Sequence, residues 1–309
     1  LKPSKYSCAI GLFYLALVSC KKESSNGHTV YVSGYHDTLI AQMVGTYWKN
    51  GTTNRLPSAS VISSILVQGN DVYMLGSTGY WKNGDFINIP NAAGTFSFFV
   101  SGSDVYVTGY TATSRNTLTA AAIYWKNGTM VNLTQNMDSV TAVSANAIFV
   151  SGSDVYVAGI LGINFGNEVA VYWKNGQLNY LTDGYDAKLI AASGNAVFVA
   201  GSSLNSGDVY WINGVEQPLG GNGIVSAMTV VGTDVYIAGF TYSGPDQAAY
   251  WKNGVLVGLP NGSAATGIAV SGSDVYVSGN GGSNDAVYWK NGLINILGEG
   301  GATGIALGN

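Results

Sequence analysis

Short apolar or alternating runs recur from residue 28 to the end of the chain, each closed by a glycine-rich turn. The stretch 265–299 shows one complete unit. ATGIAVSG (265–272) is apolar with small side chains, and SDVYVSG (273–279) alternates. DAVYWKNG (285–292) ends in Asn-Gly, and LINIL (293–297) is apolar again. Runs this short, rich in β-branched and aromatic residues, read as four strands joined by turns. Asn-Gly is the favoured two-residue type I′ hairpin loop, because both central positions need positive φ. It recurs at 50–51, 83–84, 127–128, 175–176, 213–214, 253–254 and 291–292.

Two phrases keep the same beat. YWKNG or a near-copy carries all seven tryptophans: Trp48, Trp81, Trp125, Trp173, Trp211, Trp251 and Trp289. DVYV-x-G or a near-copy places an aromatic at Tyr31, Tyr73, Tyr106, Tyr156, Phe198, Tyr236 and Tyr276. The tryptophan intervals are 33, 44, 48, 38, 40 and 38 residues, so one small unit is repeated seven times. Adjacent Tyr and Trp on one strand point to opposite faces. In stacked sheets both faces are buried, so the tryptophans are expected as core between repeats rather than as an exposed sugar platform.

The ends predict closure. His28–Val32 is a second strand without its first, and Ala302–Gly308 is a first strand without its second. Joined, they complete one unit and remove the free edge that an open solenoid would keep. The expected fold is all-β: a seven-bladed β-propeller of four-stranded antiparallel blades, closed by N-terminal and C-terminal strands sharing one blade. The cycle of A-x-x-I-x-V-x-G, DVYVAG and A-x-YWKNG-x-x-x-x-L resembles the uncharacterised exported repeat proteins of Bacteroidetes, related in style to HAF-like extracellular repeats. The resemblance covers the repeat region, and its motifs define blades without implying chemistry. The WD40 Gly-His and Trp-Asp signature, the paired glycines of kelch repeats and the Asp boxes of sialidases are missing.

Ahead of the repeats, Lys2 and Lys5 precede a short apolar run, Ala9–Val18, that ends in Leu17-Val18-Ser19-Cys20. The run is too short to span a bilayer and fits the core of a secretion signal. LVSC resembles the lipobox of bacterial lipoproteins, and Lys21-Lys22-Glu23 resembles the charged tether of surface lipoproteins in Bacteroidetes-type bacteria. That implies a signal peptide over 1–19, a lipid anchor on Cys20, a tether over 20–27 and a propeller over 28–309, held at the outer membrane or cell surface.

Composition narrows the functions. Only 10% of residues are charged and the formal net charge is −4. Cleavage before Cys20 would remove Lys2 and Lys5, leaving eleven cationic residues against seventeen acids and a net charge of −6. No basic block exists, which argues against nucleic acid as a partner. The folded part contains no cysteine and only His28 and His36. No disulfide, thiolate site or histidine metal triad is expected, no cofactor is implied, and the propeller is expected to be monomeric.

The repeated SGSD and KNG turns share one end of the blades and read as scaffold. Asp104, Asp154, Asp234 and Asp274 are expected to cap those turns by accepting backbone N–H bonds. The opposite end carries the variable loops, roughly 35–46, 77–79, 110–122, 160–170, 202–208, 240–248 and 280–286, together with the crossings between blades. Variable loops on a rigid scaffold are where binding is expected. The loop candidates are Tyr35, His36, Tyr110, Arg115, Phe165, Glu168, Asp246 and Asp285, and the crossings add Arg55, Asp138, Asp183, Tyr185 and Asp186. Three readings follow: a surface-anchored module for a glycan, peptide or envelope protein; an interaction platform without a small ligand; and a carboxylate-based glycoside hydrolase or lyase. The spacing of the acids selects no catalytic pair.

Overall fold

The computed structural model describes residues 27–37, 43–56, 59–113, 121–135, 137, 140–163, 167–242 and 246–308. They form seven four-stranded antiparallel sheets and no helix, which is a seven-bladed β-propeller. Blade 1 is built from β1 (Thr29–Asp37), β2 (Met43–Lys49), β3 (Thr52–Leu56) and β28 (Gly301–Gly308). Blade 2 holds β4 (Ser64–Gln68), β5 (Asp71–Leu75), β6 (Gly79–Lys82) and β7 (Asp85–Asn88). Blade 3 holds β8 (Gly94–Ser101), β9 (Asp104–Tyr110), β10 (Ile123–Lys126) and β11 (Thr129–Asn132). Blade 4 holds β12 (Val140–Ser151), β13 (Asp154–Ile163), β14 (Asn167–Lys174) and β15 (Gln177–Tyr180). Blade 5 holds β16 (Gly184–Ser193), β17 (Ala196–Ser203), β18 (Gly207–Ile212) and β19 (Val215–Gln217). Blade 6 holds β20 (Gly223–Val231), β21 (Asp234–Thr241), β22 (Gln247–Lys252) and β23 (Val255–Gly258). Blade 7 holds β24 (Gly262–Ser271), β25 (Asp274–Gly281), β26 (Asp285–Lys290) and β27 (Leu293–Glu299).

Ring closure follows the expected route. β28 pairs with β1 from Thr29↔Gly308 to Tyr35↔Gly301, so the two ends of the repeat region share blade 1. First strands of neighbouring blades lie against one another around the axis, with β28 bridging β24 and β4.

The core sits between blades. Tyr156 and Ala170 of blade 4 pack with Val199 and Trp211 of blade 5. At the closing seam, Tyr276 and Ala286 of blade 7 pack with Val32 and Trp48 of blade 1. Every tryptophan is at most 4% exposed, which excludes an exposed sugar platform. Three of the indoles also hold chain crossings. Nε1–H of Trp211, Trp251 and Trp289 donates to the carbonyls of Thr182, Gly220 and Pro260 at 2.9, 2.7 and 2.9 Å. A large apolar body with one polar edge suits a strand that must pack on a neighbour and fix an incoming loop.

All seven Asn-Gly turns have positive φ at both positions, 48–52° at asparagine and 76–96° at glycine. The turn asparagine does more than turn the chain. Its Oδ1 accepts the N–H at the start of the second strand, as Asn127 does from Val105 at 2.9 Å. This corrects the expected role of the aspartates, because that backbone donor is already taken. Asp104 instead accepts Asn127 Nδ2 at 2.7 Å and pairs with Lys126 Nζ at 2.8 Å, while Lys126 lies 5.2 Å from the Tyr106 ring centroid. The same Asp–Lys–Asn–Tyr clasp ties the two turns together in blades 2, 4, 6 and 7. In blade 5 both charged members are replaced, by Ala196 and Ile212, so the pair is lost as a unit.

Candidate binding face

The end opposite the clasps holds the loops between second and third strands and the crossings between blades. What shapes it is a ring of β-bulges. Six first strands carry one extra residue at the same place: Phe96, Asn146, Lys188, Ser226, Thr266 and Thr303. A bulge re-aims one side chain and bends the strand. It also explains the glycine of DVYV-x-G. A Cβ on Gly159, Gly201 or Gly279 would lie 1.8, 2.0 or 2.1 Å from the carbonyl oxygen of Ser144, Asp186 or Ala264. The bulge presses that carbonyl onto the second strand, and only glycine leaves room.

Bulged side chains fasten successive blades. Thr266 Oγ1 donates to Ala302 O at 2.8 Å, and Thr303 Oγ1 donates to Ile62 O. Asn146 Nδ2 donates at 2.9 Å to both Ala187 O and Asp186 Oδ1. Blade 5 departs from this neutral pattern. Its bulged residue is Lys188, whose Nζ reaches Asp208 Oδ1 and Oδ2 at 2.8 and 2.9 Å. Asp208 stands at the start of the third strand, where Ala122, Ala170, Ala248 and Ala286 are completely buried in other blades. Its side chain is only 6% exposed and also accepts Ser202 Oγ at 2.6 Å and Val225 N at 2.8 Å. A buried carboxylate with four hydrogen bonds from three donor groups is a satisfied ion pair rather than an orphaned charge.

Around that pair lies an arc across blades 3, 4 and 5. Phe96 is bulged from β8, 48% exposed, with its ring 5.5 Å from that of Tyr110. Blade 4 adds Asn146 and Glu168, and blade 5 adds Tyr185 and Asp186. The neighbouring Glu168 carboxylate raises the Tyr185 phenol above its ordinary value. Burial pushes the Asp186 carboxyl up; Lys188 opposes that shift, while the charges of Asp208 and Glu168 add to it. Aromatic rings beside an amide and partly desolvated carboxylates can stack on a ligand and hydrogen-bond its polar groups.

Of the residues singled out from sequence, the structure places Glu168 near Tyr185 and Asp186, and Tyr110 against Phe96. It also corrects some positions. Tyr185 and Asp186 lie within β16 rather than in a crossing, because the first strand of blade 5 begins at Gly184. Arg55 lies in β3, exposed on the outer strand opposite Thr46, and is likewise not in a crossing. Tyr35 and His36 belong to the blade 1 seam, where His36 Nδ1 meets Glu299 O at 2.8 Å. Asp285 opens β26 opposite Glu299, and Asp246 is exposed before β22. Arg115, Phe165, Asp138 and the lipidation candidate Cys20 lie outside the described residues. Sequence reasoning passed over Lys188, Asp208, Asn146 and Phe96. The available signal was Lys188 itself, the one lysine after residue 28 that does not precede an Asn-Gly or replace part of that phrase. Among the described residues, no group of three or more His, Cys, Asp or Glu is placed to hold a metal ion. No helix among them is long and apolar enough to cross a membrane.

No protein-family model matches the chain, and no curated protein matches it. Among solved structures, the acylaminoacyl peptidase of Pyrococcus horikoshii is similar over 89% of this chain and 51% of its own, with 12% identity and a TM-score of 0.54. The chain thus spans about half the length of that peptidase, and the likeness is one of fold. The computationally designed Ika8 protein aligns over 85% of this chain and 86% of its own, with 16% identity and a TM-score of 0.48.

Proposed function

We propose that this chain is a lipid-anchored cell-surface propeller that binds a glycan, peptide or protein ligand on its variable-loop face, at the axial ends of blades 3 to 5. The propeller supports a binding or interaction platform in general. The observation that carries the finer reading is the local break in an otherwise uniform repeat. Neutral residues give way to Asp186, Lys188 and Asp208 in blade 5, while Phe96 of blade 3 stands half-exposed on the same face. Burying charge costs free energy that the alanine and threonine of other blades avoid. The ion pair and its further hydrogen bonds offset that cost, and a scaffold alone gives no reason for the exchange at one place.

The test is a glycan, polysaccharide and peptide panel probed with the purified full chain. A reproducible hit, weakened at least tenfold by Tyr185→Ala or Asp186→Asn while the melting temperature holds, supports the reading. A folded sample that binds nothing on the panel, or a hit indifferent to both changes, contradicts it.

A further inference from the structure

We propose that the clasp end of the propeller faces the membrane and touches it through an apolar arc on the rims of blades 5, 6 and 7. This rests on the reading of Cys20 as the lipid anchor and adds an orientation to it. The chain enters the fold at the clasp end: Val30 N bonds Asn50 Oδ1 of the first Asn-Gly turn at 2.8 Å. His28 Nε2 contacts Ser271 Oγ at 2.8 Å, which fixes the entry against the corresponding turn of blade 7. Residues 20–27 then separate the acylated cysteine from the fold. Eight residues reach at most about 29 Å when fully extended. The clasp end is therefore the end held close to the lipid.

That end is not uniform around the ring. The residue directly after each Asn-Gly turn lies on the outer rim. In blades 1 to 4 it is Thr52, Asp85, Thr129 and Gln177, all exposed and polar. In blades 5 to 7 it is Val215, Val255 and Leu293, exposed to 61, 67 and 70%. Val231, at the neighbouring turn of blade 6, is also exposed where blades 3, 4, 5 and 7 carry serine. Blade 5 has lost both clasp charges, and in blades 6 and 7 each clasp lysine is paired with its own aspartate. The apolar arc thus runs over three adjacent blades, and its blade 7 end adjoins the chain entry. Exposed apolar side chains on adjacent blade rims beside a lipid tether match an interfacial lipid surface, where each side chain leaves water for the acyl boundary. The variable face then points away from the membrane.

The experiment uses the full lipidated chain in phosphatidylethanolamine–phosphatidylglycerol vesicles (3:1) doped with doxyl-labelled lipid. Bimane is placed on Leu293→Cys, or on Leu204→Cys in the opposite blade 5 loop. Strong quenching at 293 with little at 204 is expected. Flotation of the chain and of Cys20→Ala with the same vesicles tests the anchor separately. Loss of flotation on Cys20→Ala with no quenching at 293, or with quenching at 204 instead, overturns the orientation alone. Flotation unaffected by Cys20→Ala, or absent in both, overturns the anchor and the orientation with it.

Discussion

Lys188 and Asp208 show how much one blade can depart from its neighbours. With Nζ on both carboxylate oxygens and two further donors on Asp208, the pair replaces the threonine–alanine arrangement of blade 7. Removing one partner leaves a charge stranded, so Lys188→Met is expected to lower unfolding stability by about 3 kcal/mol or more. The double change Lys188→Thr with Asp208→Ala restores the pattern of Thr266 and Ala286 and is expected within about 1 kcal/mol of the parent, since a buried pair replaced by fitting neutral residues is often neutral. Urea unfolding of the three proteins measures both. Gly201→Ala is the matching steric test. Its Cβ would meet Asp186 O at 2.0 Å, and the repacking is expected to cost about 1–3 kcal/mol. These residues also mark the limit of sequence reading. The bulge positions hold Phe, Asn, Lys, Ser and Thr, which share no side-chain property. An inserted residue leaves no periodicity of its own, so only counting back from the following turn reveals it.

At the scale of the strand, turn chemistry and aromatic spacing were legible because each has one physical solution. Asn-Gly demands positive φ twice, and YW on a two-sided strand demands two buried faces. The clasp was only half legible. Asp and Lys recur in separate phrases, and their pairing appears only when strands two and three are brought side by side. Its partners carry a pH signature. Lys82 and then Asn83 hold the Asp71 carboxyl below its ordinary value of 3.8, and Lys126 and then Asn127 do the same for Asp104. Asparagine leads at Asp154, Asp234 and Asp274, where the direction is the same. A depressed folded pKa contributes stability above the unfolded value, and that contribution is lost as pH falls through the folded value. The melting temperature is therefore expected to fall as pH drops from about 5 through the lowered clasp range, and Asp104→Asn should flatten part of that slope. Asp186 opposes the trend. Its raised folded value favours the fold as acid protonates it, so Asp186→Asn should steepen the net acid loss.

At the scale of the molecule, closure unites the ends: β28 supplies the inner strand of blade 1 and places Ala306 in its seam with blade 2. The sequence disclosed this because each end is half a unit. It did not disclose the candidate arc, because Phe96, Glu168 and Asp186 come from three blades and share one face only when the ring is formed. Ending the chain at residue 300 would uncover the strand edge of β1 and is expected to abolish cooperative unfolding or drive aggregation, as read by calorimetry and light scattering. The face assignment is tested most directly by titrating a ligand found on the panel into the parent, Asp186→Asn and Lys49→Ala, the last a change at the clasp end. At least tenfold weaker binding by Asp186→Asn and parental affinity for Lys49→Ala is the predicted result. Parental affinity for Asp186→Asn with loss on Lys49→Ala would place the ligand on the other face and contradict the account.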